Sequence, residues 1–223
     1  TGDAVIVKDT LRGGLFAWMS SGTADGGNRF SASGGGVWQR ITERGEVNIE
    51  WFGATNNGVN DDGPAIQAAV NSGYNVFVPE GTYGTTQTIT LKGYTHIRGA
   101  GKTARIQTGL DIPIFDTDTI PGSFNQDILI EYLQLTNTIT PSGGAGPTKY
   151  HVVITDALMC VIQHCWFRTA LGTTDYNINN RGGVSFVKSG VGITSFVNWV
   201  DHCIFDGASV NMQTGDSNIT KSY

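Results

Sequence analysis

The chain has 223 residues, a formal net charge of −5 and 31 glycines, and 15% of its residues are charged. An average soluble domain has about 25% charged residues, so this composition is typical of a turn-rich β protein. No stretch approaches the ~18 uninterrupted apolar residues of a membrane span, and no cluster of Lys and Arg suits a phosphate backbone. We therefore expect neither membrane insertion nor a nucleic-acid partner.

Residues 1–47 are predicted to form a small β module. Strand-like runs at 4–7, 13–18 and 37–41 are separated by Gly, Ser and Asp, a spacing typical of hairpins. Trp18 and Trp38 are expected to fill a minor core of this module. Because the chain begins at Thr1 with neither an initiator Met nor an apolar leader, we expect that it was trimmed from something longer.

Residues 48–74 are predicted to form an entry strand, a glycine-bearing loop and a capping helix. Trp51 and Phe52 read as the end of a strand. The helix is expected to begin at a carboxylate N-cap, Asp61 or Asp62, and to end before Gly73. One narrow face of this helix is apolar, formed by Ala65, Ile66, Ala69 and Val70. Such a face needs a larger core to cover, so the helix is predicted to be a lid.

Residues 75–223 repeat loosely and are predicted to be the rungs of a solenoid. Segments 130–135, 162–167 and 200–205 match position by position, with offsets of 32 and 38 residues. Variable offsets with a constant strand pattern are typical of a solenoid with loops of different length. The alternation predicts stacked internal layers of Ile130, Leu133, Leu135, Ile162, Cys165 and Phe167. About four to five coils are recognisable.

Five motifs in this order carry a family resemblance: 51–54, 57–62, 65–70, 79–83 and 97–101. Their wording resembles the start of the pectate-lyase-like right-handed β-helix proteins, especially bacteriophage tailspikes and capsule depolymerases. The resemblance implies an all-β fold, a right-handed parallel β-helix with a short capping helix and a small β neck module. Family members generally have more coils, so we expect this chain to be an N-terminal or truncated portion.

The same resemblance implies that the protein recognises and depolymerises a bacterial surface polysaccharide, by glycosidic hydrolysis and without a cofactor. It also implies a homotrimer in the virion tail, with other tail or baseplate proteins as partners, acting at the bacterial cell surface. Three alternatives stay open. The chain is a non-catalytic structural or receptor-binding part of the virion, a lyase acting on uronate-containing glycans, or a cellular pectate lyase or polygalacturonase.

The outward position before each bend holds Glu131, Gln163 and Asp201 in successive copies. Adjacent strands lie about 4.8 Å apart, so carboxylates two rungs apart are separated by roughly 9 to 10 Å. An inverting hydrolase needs about 6.5 to 9.5 Å. We therefore predict Asp201, Glu131 and Asp206 as catalytic residues. The alternative is that these carboxylates are solvated groups on an outer face.

Trp166, Arg168 and Gln163 are predicted to bind substrate. Arg168 and Asp206 occupy matching places on adjacent rungs, where they either hold a sugar or form a surface ion pair, and we favour the ion pair. Trp166 and Ile204 are expected to point outward. Exposed apolar side chains of this size indicate either a sugar-stacking face or a subunit contact.

Three patterns suggest metal or nucleotide sites and are set aside. In His164-Cys165 and His202-Cys203, alternation places the cysteines in the core and the histidines at the bend, which disfavours zinc. The segment 99–103 imitates a phosphate-binding loop, but His96 stands where its first Gly is required. The Asn- and Asp-rich segment 56–63 lacks the closing Glu of a calcium loop. No metal site is predicted.

Overall fold

The computed structural model describes the side chains of residues 3–42, 44–118, 124–139, 149–169, 183–189 and 197–206, and the backbone of 209–212. The first part is an antiparallel sheet with the strand order β1-β2-β4-β3. Its strands are β1 (Ala4–Val7), β2 (Gly14–Met19), β3 (Arg29–Ser31) and β4 (Val37–Arg40). We call this sheet the N-terminal module. Three of its strands, β1, β2 and β4, coincide with the strand-like runs at 4–7, 13–18 and 37–41.

The remaining strands are short and follow one another around a coil. In chain order they are β5 (Glu46–Asn48), β6 (Asn57–Asp61), β7 (Asn75–Val78), β8 (Gly81–Gly84), β9 (Ile89–Leu91), β10 (His96–Gly99), β11 (Ala104–Thr108), β12 (Phe115–Thr117), β13 (Asn125–Gln126), β14 (Leu129–Glu131), β15 (Gln134–Asn137), β16 (Val152–Thr155), β17 (Ala157–Leu158), β18 (Val161–Gln163), β19 (Trp166–Thr169), β20 (Gly183–Val187), β21 (Trp199–Asp201), β22 (Ile204–Asp206) and β23 (Ser209–Met212).

These strands form three long parallel sheets, each taking one strand from successive turns of the coil. Sheet I has the order β5-β7-β10-β14-β18-β21, sheet II β6-β8-β11-β15-β19-β22, and sheet III β9-β12-β16-β20-β23. A small two-stranded sheet, β13-β17, is formed by the strands that directly precede β14 and β18 of sheet I in the chain. The prediction of an all-β, right-handed parallel β-helix is confirmed. Sheet I begins with β5, so the coil starts within the segment first assigned to the module.

The core lies inside the coil because alternate residues of every strand point inward. Ile97, Ile130, Ile162 and Val200 are in register on successive strands of sheet I. On sheet II the corresponding layer is a second inward row, Ile106, Leu135, Phe167 and Phe205. The rings of Phe167 and Phe205 stack with centroids 5.0 Å apart. All six residues predicted as internal layers are buried, so the periodicity identified the core correctly.

The capping helix α1 spans Gly63–Asn71 and its predicted apolar face is buried in the core. The expected N-cap is divided between two carboxylates. Asp61 Oδ1 accepts from the Gly63 N–H at 3.1 Å, whereas Asp62, at the N-cap position, makes no capping hydrogen bond. Asp62 instead accepts from the Thr55 N–H at 2.8 Å and the Gly84 N–H at 3.3 Å. It therefore joins the loop before the helix to the first coil.

Trp51 and Phe52 do not end a strand, as the sequence suggested, but belong to a 3₁₀ turn at Ile49–Phe52. Asn48 caps this turn by accepting from the Glu50 N–H at 2.8 Å. Gly53 closes it with φ 109°, a conformation that glycine adopts readily. The turn places the Trp51 ring against the N-terminal module.

Two arginines join the N-terminal module to the coil. The Arg40 guanidinium is buried, lies 4.0 Å from the Trp51 ring centroid, and donates to the carbonyls of Gly13 at 2.6 Å and Arg12 at 2.8 Å. Arg29 Nη2 donates to the Tyr74 hydroxyl at 2.9 Å, just after α1. Arg40 binds carbonyls and aromatic faces rather than a carboxylate. Cation–π contacts and hydrogen bonds to the backbone therefore hold this junction together.

Candidate functional site

The outer face of sheet II carries the predicted residues Trp166, Arg168 and Asp206. Register places Gln134 beside Trp166, Thr136 beside Arg168, and Arg168 beside Asp206. One rung earlier, Arg105 is beside Gln134. Outward side chains in register on parallel strands form rows along the coil axis. The face is therefore a ribbon of polar side chains that crosses successive rungs.

Two adjoining clefts follow this face, with volumes of about 370 and 430 Å³. They share Arg105, Gln134 and Arg168, so they form one continuous depression that we call the sheet II groove. The first cleft also contains Asp206, and the second also contains Lys102 and Trp166. Other lining residues are Glu80, Gly81, Thr82, Thr103, Gln107, Thr136, Asn137, Thr138 and Thr169.

Hydrogen bonds hold the middle of the sheet II groove. In the orientation that satisfies both ends of its amide, Gln134 donates to the Lys102 carbonyl at 2.9 Å and accepts from Arg105 Nε at 3.1 Å. The Lys102 ammonium lies 5.3 Å from the Trp166 ring centroid. Arg168 Nε lies 3.3 Å from Asp206 Oδ2, so the predicted pair is formed. Both partners of that pair are about half exposed, and such pairs contribute under about 1 kcal/mol.

The outer face of sheet I carries the other predicted residues, Glu131, Gln163 and Asp201, in register on β14, β18 and β21. Glu131 is only 9% exposed. Its Oε1 lies 3.0 Å from His96 Nε2, and its Oε2 accepts from Gln163 Nε2 at 2.7 Å. Asp201 Oδ2 lies 2.8 Å from His202 Nδ1. Each predicted carboxylate on this face is therefore already held by a neighbour.

A bidentate ion pair extends the same face toward the start of the coil. Arg98 donates from Nε and Nη2 to the two carboxylate oxygens of Glu46 at 2.9 and 2.7 Å. Its guanidinium lies 4.5 Å from the ring centroid of Phe77, on the intervening rung. The hydrogen bond from Arg98 lowers the pKa of Glu46, and the same bond raises the pKa of Arg98. We call Glu46, Arg98, His96, Glu131 and Gln163 the sheet I ladder.

The bend between sheets I and II carries a stack of rings. Tyr132, His164 and His202 have positive φ values of 52°, 51° and 47°. Their ring centroids are 4.8 Å apart for Tyr132 and His164, and 5.1 Å apart for the two histidines. Positive φ is uncommon for bulky residues. The predicted location of both histidines at the bend is confirmed.

The cysteines contribute to the core, as the alternation indicated. Cys160 and Cys165 are buried and Cys203 is half-buried, and all three are free thiols. Burial raises the pKa of Cys160 to about 11. Within the described residues, no group of three or more His, Cys, Asp or Glu side chains is arranged to hold a metal ion. In that same part of the chain, no helix is long and apolar enough to cross a membrane.

The structure thus divides the predicted site residues between two faces. Trp166, Arg168 and Asp206 meet in the sheet II groove, whereas Gln163, Glu131 and Asp201 lie on sheet I, on the other side of the bend. The catalytic and substrate-binding roles of these residues stay predictions.

Sequence reasoning missed Lys102, Arg105 and Gln134 as groove residues. Gln134 stands at the position of Trp166 in the aligned repeats, so the alignment contained the signal for it. The rung that carries Lys102 and Arg105 was not aligned with the others because its bend, between Arg98 and Arg105, is longer than the bend between Glu131 and Gln134.

Comparison with protein families identifies the class. Residues 46–222 match the family model described as "Rhamnogalacturonase A/epimerase, pectate lyase-like". The match covers most of the chain and includes all three long sheets. This chain belongs to the pectate-lyase-like family.

Individual relatives include phage appendage and tailspike proteins. The chain is 35% identical over 79 residues to the pre-neck appendage protein of Bacillus phage B103. It shares its fold with the enzymatically active domain of tailspike protein 2 of bacteriophage CBA120 (TM-score 0.62, 19% identity, 95% of this chain) and with the tailspike of Acinetobacter phage vB_ApiP_P1 (TM-score 0.58, 18% identity, 92% of this chain). The predicted resemblance to phage tailspikes is confirmed.

This chain spans only part of the proteins it matches. The aligned segment covers 9% of the B103 protein, and the chain covers 33% of the CBA120 domain and 42% of the Acinetobacter phage tailspike.

Proposed function

We propose that this chain is the neck and first coils of a phage tailspike, and that it binds a bacterial surface polysaccharide in the sheet II groove. The observation that carries the proposal is the groove itself. It is open, lined by hydrogen-bonding side chains on successive rungs, and contains a large aromatic ring, Trp166. Polar groups repeated along the coil axis suit a chain of sugar residues, and an aromatic ring supplies an apolar contact with a polar edge.

The phage relatives support a location in the virion tail. There the protein would act at the bacterial cell surface, as a homotrimer beside other tail or baseplate proteins. Trp166 and Arg168 are the groove residues assigned to substrate, and Gln163 is assigned to substrate on the neighbouring face.

Hydrolysis is the proposed reaction, with Glu131 and Asp201 as the acid and base. Their register places them two rungs apart on one outer face, a separation of about 9.6 Å that is close to the range for inverting hydrolysis. Asp206 is proposed to assist from the sheet II side. A lyase reaction on uronate-containing glycans would instead need a base such as His96, which is already in contact with Glu131.

Non-catalytic attachment is the second candidate, and one observation favours it. Glu131, Asp201 and Asp206 all have a partner within 3.3 Å, so none is a free acid or base in this arrangement. In this case the coils would hold a glycan without cleaving it, and turnover would need the rest of the tailspike.

One experiment separates these functions. The purified chain is incubated with a panel of bacterial capsule, exopolysaccharide and O-antigen preparations, and bound glycan, new reducing ends and the absorbance of unsaturated sugars are measured. Binding with reducing ends alone supports hydrolysis, and added unsaturated sugars identify a lyase. Glu131→Gln and Asp201→Asn should abolish the hydrolysis while binding persists. Binding without any product supports attachment. If the chain binds none of the glycan preparations, the proposed function is contradicted.

A further inference from the structure

Two of the chain's three cysteines occupy the same place on successive rungs. The residues that flank Cys165 are in register with those that flank Cys203, on both sides of the bend. The Ile204 N–H donates to the Cys165 carbonyl at 2.9 Å, so the backbones of the two rungs are joined at this point. Adjacent strands are about 4.8 Å apart, which is within the Cα–Cα range of roughly 4.4 to 6.8 Å for a disulfide.

Both thiols point into the coil with the same local geometry. Cys165 Sγ lies 3.2 Å from the Gln163 carbonyl oxygen, and Cys203 Sγ lies 3.2 Å from the Asp201 carbonyl oxygen. Each sulfur also lies close to a carbonyl oxygen of sheet I on the preceding rung, at 3.6 Å for Cys165 and 3.5 Å for Cys203. The two side chains are therefore stacked on the same side of neighbouring backbones, as a crosslink between them requires.

The two thiols differ in their expected reactivity. Hydrogen bonding by the Cys165 thiol lowers the pKa of Cys203, whereas burial raises the pKa of Cys165. Cys203 is also the more accessible of the two, since it is half-buried and Cys165 is buried. The thiolate is the form that reacts with oxidants, so Cys203 reacts first. Cys165 then lies beside it in the position of a resolving thiol.

Cys160 provides an internal reference for a cysteine in a different setting. It is buried, and burial raises its pKa to about 11. Its backbone N–H donates to the Asn198 side chain at 2.9 Å, so its neighbour on the next rung is an amide. A buried thiol with a raised pKa is inert toward oxidants. The comparison with Cys160 separates a general property of the core from a property of the pair.

We propose that Cys165 and Cys203 are a dithiol pair that hydrogen peroxide converts into a disulfide between two consecutive rungs of the coil. The Cys203 thiolate attacks one peroxide oxygen, the O–O bond breaks, and a sulfenic acid and one water form. The Cys165 sulfur then attacks the Cys203 sulfur, the S–O bond breaks, and the hydroxide leaves with the thiol proton as a second water. The two thiols lose two electrons, and one peroxide is reduced to two waters.

The disulfide opposes unwinding of the coil. A crosslink stabilises a folded protein mainly by restricting the unfolded chain. In a solenoid each rung contacts only its neighbours, so a covalent bond between neighbouring rungs acts at the contact that must open first. A virion tail protein is made in the reducing interior of the host cell and acts outside it. The chain therefore folds with free thiols, and the rungs are crosslinked after release.

Peptide mapping of the oxidised chain tests the pair directly. The reduced chain is treated with equimolar hydrogen peroxide, the remaining thiols are blocked with N-ethylmaleimide in denaturant, and the peptides are mapped by mass spectrometry without reduction. We expect a linked peptide that joins Cys165 to Cys203 within one chain, and thiol loss at the pair about tenfold faster than at Cys160. If both thiols are recovered free, are oxidised singly, or are linked to Cys160 or to another chain, the proposal is overturned.

Matched variants separate the roles of the two thiols. Cys165→Ala removes the resolving thiol, so dimedone should trap a sulfenic acid at Cys203. Cys203→Ser should leave Cys165 unlabelled, and Cys160→Ser should keep the linked peptide. Dimedone labelling at Cys165 rather than Cys203 would contradict the order of attack. Circular dichroism checks that the variants are folded, and the mapping of the unsubstituted chain decides the proposal if Cys165→Ala is not.

Urea denaturation measures what the crosslink does. Midpoints of the peroxide-treated chain are compared with and without dithiothreitol, and Cys203→Ser is the chain in which peroxide should change nothing. We expect the crosslink to increase the ratio of folded to unfolded chain by about 100-fold, and so to raise the urea midpoint. A linked chain with an unchanged or lower midpoint would overturn the stabilising role of the pair.

Discussion

Sheet I and sheet II are built from the same turns of one coil, and their outer faces differ in what the charged side chains contact. On sheet I, Arg98 pairs with Glu46, and Glu131 lies between His96 and Gln163. On sheet II, Lys102 and Arg105 have no carboxylate partner in the described structure. Arg168 on sheet II does pair with Asp206, so the difference lies at Lys102 and Arg105, which have no ion-pair partner among the described residues.

The largest effect should come from the core that both faces share. Phe167 is fully buried beneath sheet II and stacks on Phe205. We expect Phe167→Ala to lower the free energy of unfolding by about 3–5 kcal/mol, through lost burial and a cavity. Urea denaturation followed by circular dichroism measures this, with the conservative Phe167→Leu as control. A loss under about 1 kcal/mol would show that the rung does not pack as described.

Acid should lower the free energy of unfolding through His151, which contacts the strand that carries Arg168. His151 is buried, its Nε2 lies 3.0 Å from the Arg168 carbonyl and its Nδ1 accepts from the Gly183 N–H at 2.7 Å. Burial lowers the pKa of His151 to about 4, from about 6.5 when unfolded. Because the unfolded chain then binds more protons, stability is complete above pH 6.5 and declines as the pH falls toward 4. The loss amounts to about 3 kcal/mol.

Denaturation midpoints between pH 7 and pH 4 measure the contribution of His151. A His151→Gln variant is expected to be less stable at pH 7 and to lose this part of the pH dependence. An unchanged pH profile in the variant would mean that other groups cause the acid sensitivity.

One arginine variant on each face tests the comparison between sheet I and sheet II. Arg98→Gln removes the ion pair with Glu46 and the contact with Phe77. We expect it to lower the free energy of unfolding by about 1 kcal/mol, since the pair is partly exposed, and to leave glycan affinity unchanged. Arg105→Gln should lower the glycan affinity and leave the free energy of unfolding nearly unchanged. Parallel melting and glycan-binding measurements on both variants decide the matter, and a loss of affinity in Arg98→Gln would contradict the division between the faces.

The smallest effect is expected at Ile204, which is 54% exposed and in register with Trp166. Ile204→Thr should change the free energy of unfolding by no more than about 0.5 kcal/mol, because little apolar area is buried there. Sedimentation and glycan binding are compared in the same variant. A reduced assembly state would assign Ile204 to a subunit contact, and a reduced affinity would assign it to the groove.

Much of the coil was predictable because its periodicity is local. The alignment of 130–135 with 162–167 and 200–205 identified which residues are buried, and strand register reproduces that alignment. The 3₁₀ turn at Trp51 and Phe52 was not predictable from the strand-like pattern, since its form depends on the Asn48 cap and on Gly53. The exchange of roles between Asp61 and Asp62 likewise depends on Gly84 and Thr86, which lie in a later coil strand and its following turn.

The candidate site was harder to predict than the fold. Trp166, Arg168 and Asp206 were found because the repeat places them outward. Lys102 lies on a longer bend, and the residues that it and Arg105 contact, Gln134 and Trp166, lie on later rungs. Glu131 illustrates the opposite limit. Its outward position was predicted, whereas its burial between His96 and Gln163 depends on neighbours 35 and 32 residues away.

The sequence by itself determined the family and the alternation of buried and outward residues. These follow from local spacing, because a strand repeats every two residues and a helix every 3.6. Only the tertiary structure decided which charges are neutralised and which have no ion-pair partner among the described residues. Ion pairs such as Arg98 with Glu46 join residues 52 positions apart, and stacking of the coil, rather than any local preference, brings such residues together.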